Sequence, residues 1–168
     1  APCDLVIFGV LGDLARRKLI PSLYQLEKAG LIEAGTRIIG VARHALSDEE
    51  FLARVSESLE TFVKEGLDRQ VTERLLRRCG YVLINLTRYQ EYSRLEGVAD
   101  GEKRSTVNYL AVPPSLFGDI CLGLDGAGLV TPATRVVIEK PIGHDLESSR
   151  VINDAVASVF NEDQVYRI

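Results

Sequence analysis

Six short runs rich in valine and isoleucine recur along the 168-residue chain, with stretches of helical periodicity between them. They occupy residues 4–10 (DLVIFGV), 37–43 (RIIGVAR), 81–86 (YVLINL), 107–112 (VNYLAV), 135–140 (RVVIEK) and 164–168 (QVYRI). Continuous apolar runs of this kind suit strands covered on both faces, which pair in parallel. Parallel neighbours need a crossover, and the intervening helices provide one. The pattern predicts an α/β fold, a doubly wound parallel sheet of about six strands. Leu14, Leu19, Leu23 and Leu26 share a face of the first predicted helix, and Ser47 to Glu50 has the spacing of a capping box at the start of the second. Further helices are predicted over residues 71–78, 89–98, 115–124 and 146–160, with Gly30, Gly80, Gly97 and Gly126 placed as stops.

In such a sheet a ligand sits beyond the carboxyl ends of the strands, where the strand order reverses. At the end of strand one stand Gly9, Val10, Leu11, Gly12, Asp13, Leu14 and Ala15. Glycine lets a backbone turn sharply and approach a pyrophosphate, and a helix starting near Asp13 would aim its free N–H groups at the phosphates. The bland alternative is a pair of glycines ending a strand. Strand two ends in Arg43, where an NAD site usually carries a carboxylate for the ribose hydroxyls. A guanidinium there would fork onto a 2′-phosphate, which points to NADP. Strand three ends at Asn85 and Leu86, by position the adenine side. Strand four runs from Tyr109 through Ala111 into Pro113 and Pro114, which leave the sheet in a stiff extended turn. Strand five ends at Glu139 and Lys140; the lysine can neutralise a phosphate, and Pro141 holds it extended.

Composition narrows the classes. With 46 % apolar and 26 % charged residues the chain has the profile of a soluble globular domain. A net charge of −4 argues against a general nucleic-acid binder. No apolar run approaches the ~20 residues of a membrane span. The first residues lack the basic segment of a secretory signal. Cys3, Cys79 and Cys121 are isolated and suit a reducing, cytoplasmic setting, and no metal is expected.

Taken together, GxxGDLAxxK from Gly9 to Lys18, GVAR from Gly40 to Arg43, NYLAVPPSLF from Asn108 to Phe117 and EKPIG from Glu139 to Gly143 resemble glucose-6-phosphate dehydrogenase. The resemblance runs through the whole chain in order. It implies a Rossmann-type NADP-binding domain over residues 1–168, and an enzyme that oxidises glucose 6-phosphate to its 6-phospholactone with hydride transfer to NADP⁺. It also implies that Gly9 to Ala15 hold the pyrophosphate, that Arg43 holds the 2′-phosphate, and that Tyr109 to Pro114 border the nicotinamide. Lys140 would meet coenzyme and sugar phosphate, with Lys18 a second substrate-side candidate; Arg16 and Arg17 read as a solvated basic face. Leu11 stands where the family often has a polar residue, and Asn85 where an acidic one is common. The family draws its base and further substrate ligands from a large α+β domain. His44 and His144, the two histidines here, match neither base position. The chain by itself is therefore expected to bind NADP⁺ without turnover, with no catalytic residue of its own, and to associate through a bare domain face. A homo-oligomer is compatible with this reading. The rivals are a glucose–fructose oxidoreductase type of domain, which usually keeps G-x-G-x-x-G/A, and a free-standing NADP-binding regulatory module.

Overall fold

The computed structural model describes residues 2–97, 104–139 and 145–168. Its strands are β1 (Cys3–Phe8), β2 (Arg37–Ala42), β3 (Cys79–Leu83), β4 (Ser105–Leu110), β5 (Thr134–Ile138) and β6 (Val165–Arg167). All pair in parallel, in the order β3-β2-β1-β4-β5-β6. The chain thus winds outward from β1 in one direction and from β4 in the other. The reversal lies between those two central strands.

Side-chain alternation divides the core between the two faces of the sheet. Val6 and Phe8 of β1 join Ile39, Leu110 and Val136 beneath α4 (Phe117–Gly126) and α5 (Leu146–Ala157). Ile7 joins Ile38 on the other face, beneath α1 (Ile20–Lys28), α2 (Asp48–Phe62) and α3 (Arg69–Arg78). The Ser47–Glu50 capping box opens α2 as its spacing predicts.

Several local expectations change. The first helix begins at Asp13 but includes a π-turn over Ala15–Leu19, in which the Ile20 N–H reaches back to the Ala15 carbonyl. That five-residue step moves the buried face from the expected leucines to Ala15, Ile20, Tyr24 and Glu27, and leaves Leu26 exposed. The Arg16 carbonyl inside this turn accepts from the hydroxyl of buried Ser58 on α2. Of the helix expected over 89–98, the described residues 89–97 form no α-helix; a 3₁₀ segment covers Tyr89–Leu95. Gly80 is no stop, because α3 runs directly into β3 and Gly80 lies within that strand. At the end of α4 the left-handed turn falls on Gly128 and not on Gly126.

Opposite the reversal's carboxyl edge, a buried ion cluster ties the amino ends of the strands. Asp4 of β1 is fully buried and accepts from Arg37 of β2 through both oxygens, at 2.7 and 2.8 Å. Arg104, just before β4, stands 3.1 Å away. Among the described residues no helix is long and apolar enough to cross a membrane.

Candidate dinucleotide site

The carboxyl ends of β1 and β4 meet at Gly9. This residue has φ +82°, a backbone that L side chains rarely adopt, and its N–H donates to the Val41 carbonyl at 2.9 Å. A Cβ on Gly9 would collide with the Ala111 carbonyl oxygen and fall 2.8 Å from a Val112 methyl. Ala111 is held there because its own N–H extends the ladder to the Phe8 carbonyl, at 2.9 Å. Glycine is therefore required twice over, by conformation and by space.

From Gly9 the chain turns at once. The Gly12 N–H closes onto the Gly9 carbonyl, and the first helical bond runs from the Arg16 N–H to the Gly12 carbonyl, both at 3.0 Å. The amides of Asp13, Leu14 and Ala15 precede that bond, so they are the helix-end donors suited to an anion. Ala15 is fully buried, which lets the helix sit close to the sheet. Asp13 is exposed and 3.6 Å from Arg17. Val10 is buried, whereas Leu11 is half-buried against the α2 side of the core, beside Phe51 and Val55. Leu11 thus serves packing, which accounts for an apolar residue in this turn.

Arg43 follows β2 directly, is exposed, and has no hydrogen-bond or ion-pair partner among the described residues. His44 is also exposed, and its carbonyl accepts from the Tyr81 hydroxyl at 2.5 Å. At the end of β3, Asn85 is turned to local use: its side-chain oxygen accepts from the Thr87 amide and hydroxyl, at 3.2 and 2.9 Å. Leu86 packs against the core, and its carbonyl takes the Tyr92 hydroxyl at 2.8 Å.

Beyond β4 the chain is extended at Pro113 (φ −56°, ψ 142°), and Pro114 opens a 3₁₀ turn leading into α4. The stiff exit thus takes the first proline, while the second starts a helix. Tyr109 donates to Glu139 at the end of β5, at 3.4 Å. Burial, then the negative charge of Glu139, pushes the Tyr109 phenol up to about 12. Tyr109 therefore stays protonated at neutral pH. Lys140, Pro141, Gly143 and His144 lie outside the described residues.

Lys18 is not brought to this edge. It lines a shallow cleft with Ser22, Phe62 and Glu65, which contains none of the strand-end residues. Arg16 and Arg17 are not simply solvated, as the sequence suggested. Arg16 pairs with Glu57 at 2.8 Å, and both guanidinium groups lie over the Phe62 ring, 5.0 and 5.4 Å from its centre.

The structure brings together Gly9, Gly12, the helix start, Ala111 and the β4 exit at the sheet's switch point, with Arg43 one strand away. A β1 turn of this geometry beside the strand reversal is where α/β sheets hold dinucleotides. The family model for "Glucose-6-phosphate dehydrogenase, NAD binding domain" matches residues 6–168. The chain belongs to that family. Its sequence is 54 % identical to a glucose-6-phosphate 1-dehydrogenase of Dickeya dadantii over 99 % of this chain and 34 % of that one. It is 45 % identical to one from Mycolicibacterium smegmatis over 99 % and 35 %. The fold superposes on the glucose-6-phosphate 1-dehydrogenase of Mycobacterium avium with a TM-score of 0.91, at 38 % identity, over 100 % of this chain and 36 % of that one. A glucose-6-phosphate dehydrogenase solved in complex with its substrate, glucose 6-phosphate, gives 0.87 at 33 % identity, over 98 % and 36 %. The chain thus spans about a third of the length of these relatives. The Rossmann-type sheet and a dinucleotide cofactor follow from family membership.

Two residues at this edge have a packing role that the sequence did not reveal: Gly40, which entered only as the first residue of GVAR, and Phe51. A Cβ on Gly40 would fall 2.7 Å from the Phe51 ring and 2.8 Å from a Val10 methyl, so the missing side chain lets α2 seat against the turn. A glycine inside an otherwise β-branched strand was the available signal.

Proposed function

We propose that this chain, as one domain over residues 1–168, is the NADP⁺-binding part of a cytoplasmic glucose-6-phosphate dehydrogenase. The reaction is the oxidation of glucose 6-phosphate to its 6-phospholactone. When bound, the coenzyme supplies the hydride acceptor. The chain's own residues bind and orient it: amides from Gly9 to Ala15 at the pyrophosphate, Arg43 at the 2′-phosphate, and Tyr109, Ala111, Pro113 and Pro114 beside the nicotinamide. Glu139 holds Tyr109, and Lys140 faces coenzyme and substrate together. Asn85 and Leu86 mark the adenine side by position, the Asn85 backbone and side-chain oxygen and the Leu86 carbonyl being engaged locally. Lys18 is the outlying substrate-side candidate.

The observation that carries the proposal is Gly9 wedged at +82° against Ala111 at the switch point, with an unpaired Arg43 where NAD sites use a carboxylate. Among the described residues of the strand-end cluster none is a counterpart of the base required within about 3 Å of the sugar hydroxyl, which supports binding without oxidation by this stretch.

Calorimetric titration with NADP⁺ and NAD⁺, followed by an assay with glucose 6-phosphate, tests this. Tighter binding of NADP⁺ with no turnover is expected. Equal or tighter binding of NAD⁺ would remove the role of Arg43, and turnover would refute the division of labour.

A further inference from the structure

The loop between β2 and α2 carries Arg43, His44 and Ala45, all exposed, and such a loop needs something to fix it. The Ser47–Glu50 capping box secures its far end. Near Arg43 the tie comes from β3. Tyr81 is the ladder partner of Gly40, and its hydroxyl reaches over to donate to the His44 carbonyl at 2.5 Å. The Tyr81 ring stacks on Phe51, with centres 5.1 Å apart and planes 29° from parallel. Phe51 in turn occupies the space that Gly40 leaves free, against Val10 of the phosphate turn. Val10 and Gly9 both donate to the Val41 carbonyl, two residues before Arg43. One continuous stack therefore runs from the glycine turn through Phe51 to Tyr81, and ends on the carbonyl of His44, the residue after Arg43.

We propose that Tyr81 is a positioning residue for coenzyme choice, whose hydroxyl holds the His44–Ala45 peptide, one residue beyond Arg43, so that the Arg43 guanidinium is placed for a 2′-phosphate. This rests on the reading of Arg43 given above. Loop ordering that precedes binding removes an entropic cost from the bound state, and here that gain goes to one ligand group only. Tyr81→Phe keeps the stack on Phe51 and deletes the hydroxyl alone.

The test uses 2′,5′-ADP and 5′-AMP, which differ by the 2′-phosphate alone. Both are titrated into the unaltered chain, Tyr81→Phe, Arg43→Ala and the double variant. Tyr81→Phe should weaken 2′,5′-ADP by about three- to tenfold and leave 5′-AMP unchanged, with no further loss in the Arg43→Ala background. Equal losses for both ligands, or an additive loss in that background, would overturn the proposal. Trypsin cleavage after Arg43, read without ligand, should be faster in Tyr81→Phe; an unchanged rate would show that the hydroxyl tethers nothing. An unaltered chain that binds 2′,5′-ADP no better than 5′-AMP removes the NADP reading and this inference together. A clear preference that Tyr81→Phe leaves intact removes the inference alone.

Discussion

At the scale of single residues, Gly9 and Arg43 carry opposite kinds of constraint. Gly9 is fixed by geometry: Gly9→Ala places a Cβ against the Ala111 carbonyl at a left-handed backbone. Its unfolding free energy should drop by about 2–3 kcal/mol, measured by urea denaturation, with coenzyme affinity lost in parallel. Arg43 has no hydrogen-bond or ion-pair partner among the described residues, so Arg43→Ala should leave the denaturation midpoint unchanged. It should weaken NADP⁺ by about ten- to a hundredfold while NAD⁺ binding stays nearly constant, read from paired titrations. The glycine turn and Arg43 stand out in the sequence as candidates because phosphate chemistry calls for those residue types. The service of Leu11 to the core and the local bonds of Asn85 were not, since each depends on partners brought in by folding. The thiols behave as core groups: burial pushes Cys79 and Cys121 up to about 12. Iodoacetamide at about pH 8 should therefore label Cys3 in the folded chain, and the other two after unfolding. Early labelling of Cys121 would contradict its place on the buried face of α4.

Among the elements, the strands were the easiest to read, because a strand covered on both faces announces itself as an unbroken apolar run. The bends in register between elements were harder. The π-turn over Ala15–Leu19 leaves no mark in the leucine spacing, since it is stabilised by Ser58, 42 residues away, donating to the Arg16 carbonyl. Gly80 looked like a stop because helix and strand abut there without a loop. The 3₁₀ segment over Tyr89–Leu95 keeps Tyr92 and Leu95 inward with helical spacing, so the pattern alone could not tell it from an α-helix. If Ser58 holds the π-turn, Ser58→Ala leaves a carbonyl unmet in a buried position. A loss of about 1–2 kcal/mol in stability is expected, together with changed amide shifts over Ala15–Leu19. A neutral substitution with unchanged shifts would mean that the turn is set by the helix's own packing.

For the whole molecule, the two edges of the sheet divide the work. The amino edge is clamped by Asp4 with Arg37 and Arg104, and the carboxyl edge is left with glycine, an unpaired arginine and the proline exit. Stability should respond to alkali in one direction. Cys79, Cys121 and Tyr109 are all raised in the folded state, so the folded form holds these protons more tightly than the unfolded chain does. Their contribution is complete below the unfolded values, 9.0 for the thiols and 10.0 for the phenol, and is lost as pH climbs toward about 12. The melting midpoint should be level to about pH 9 and then fall. The location of the site itself was readable from the alternation of strands and helices, because a doubly wound sheet has one switch point. Backbone amide shifts recorded during an NADP⁺ titration test that location most directly. The changes should concentrate on Gly9 to Ala15, on Arg43 and His44, and on Ala111, Val112 and Ser115 around the proline exit. Changes concentrated instead in the cleft lined by Lys18, Phe62 and Glu65 would place the coenzyme elsewhere and contradict the account.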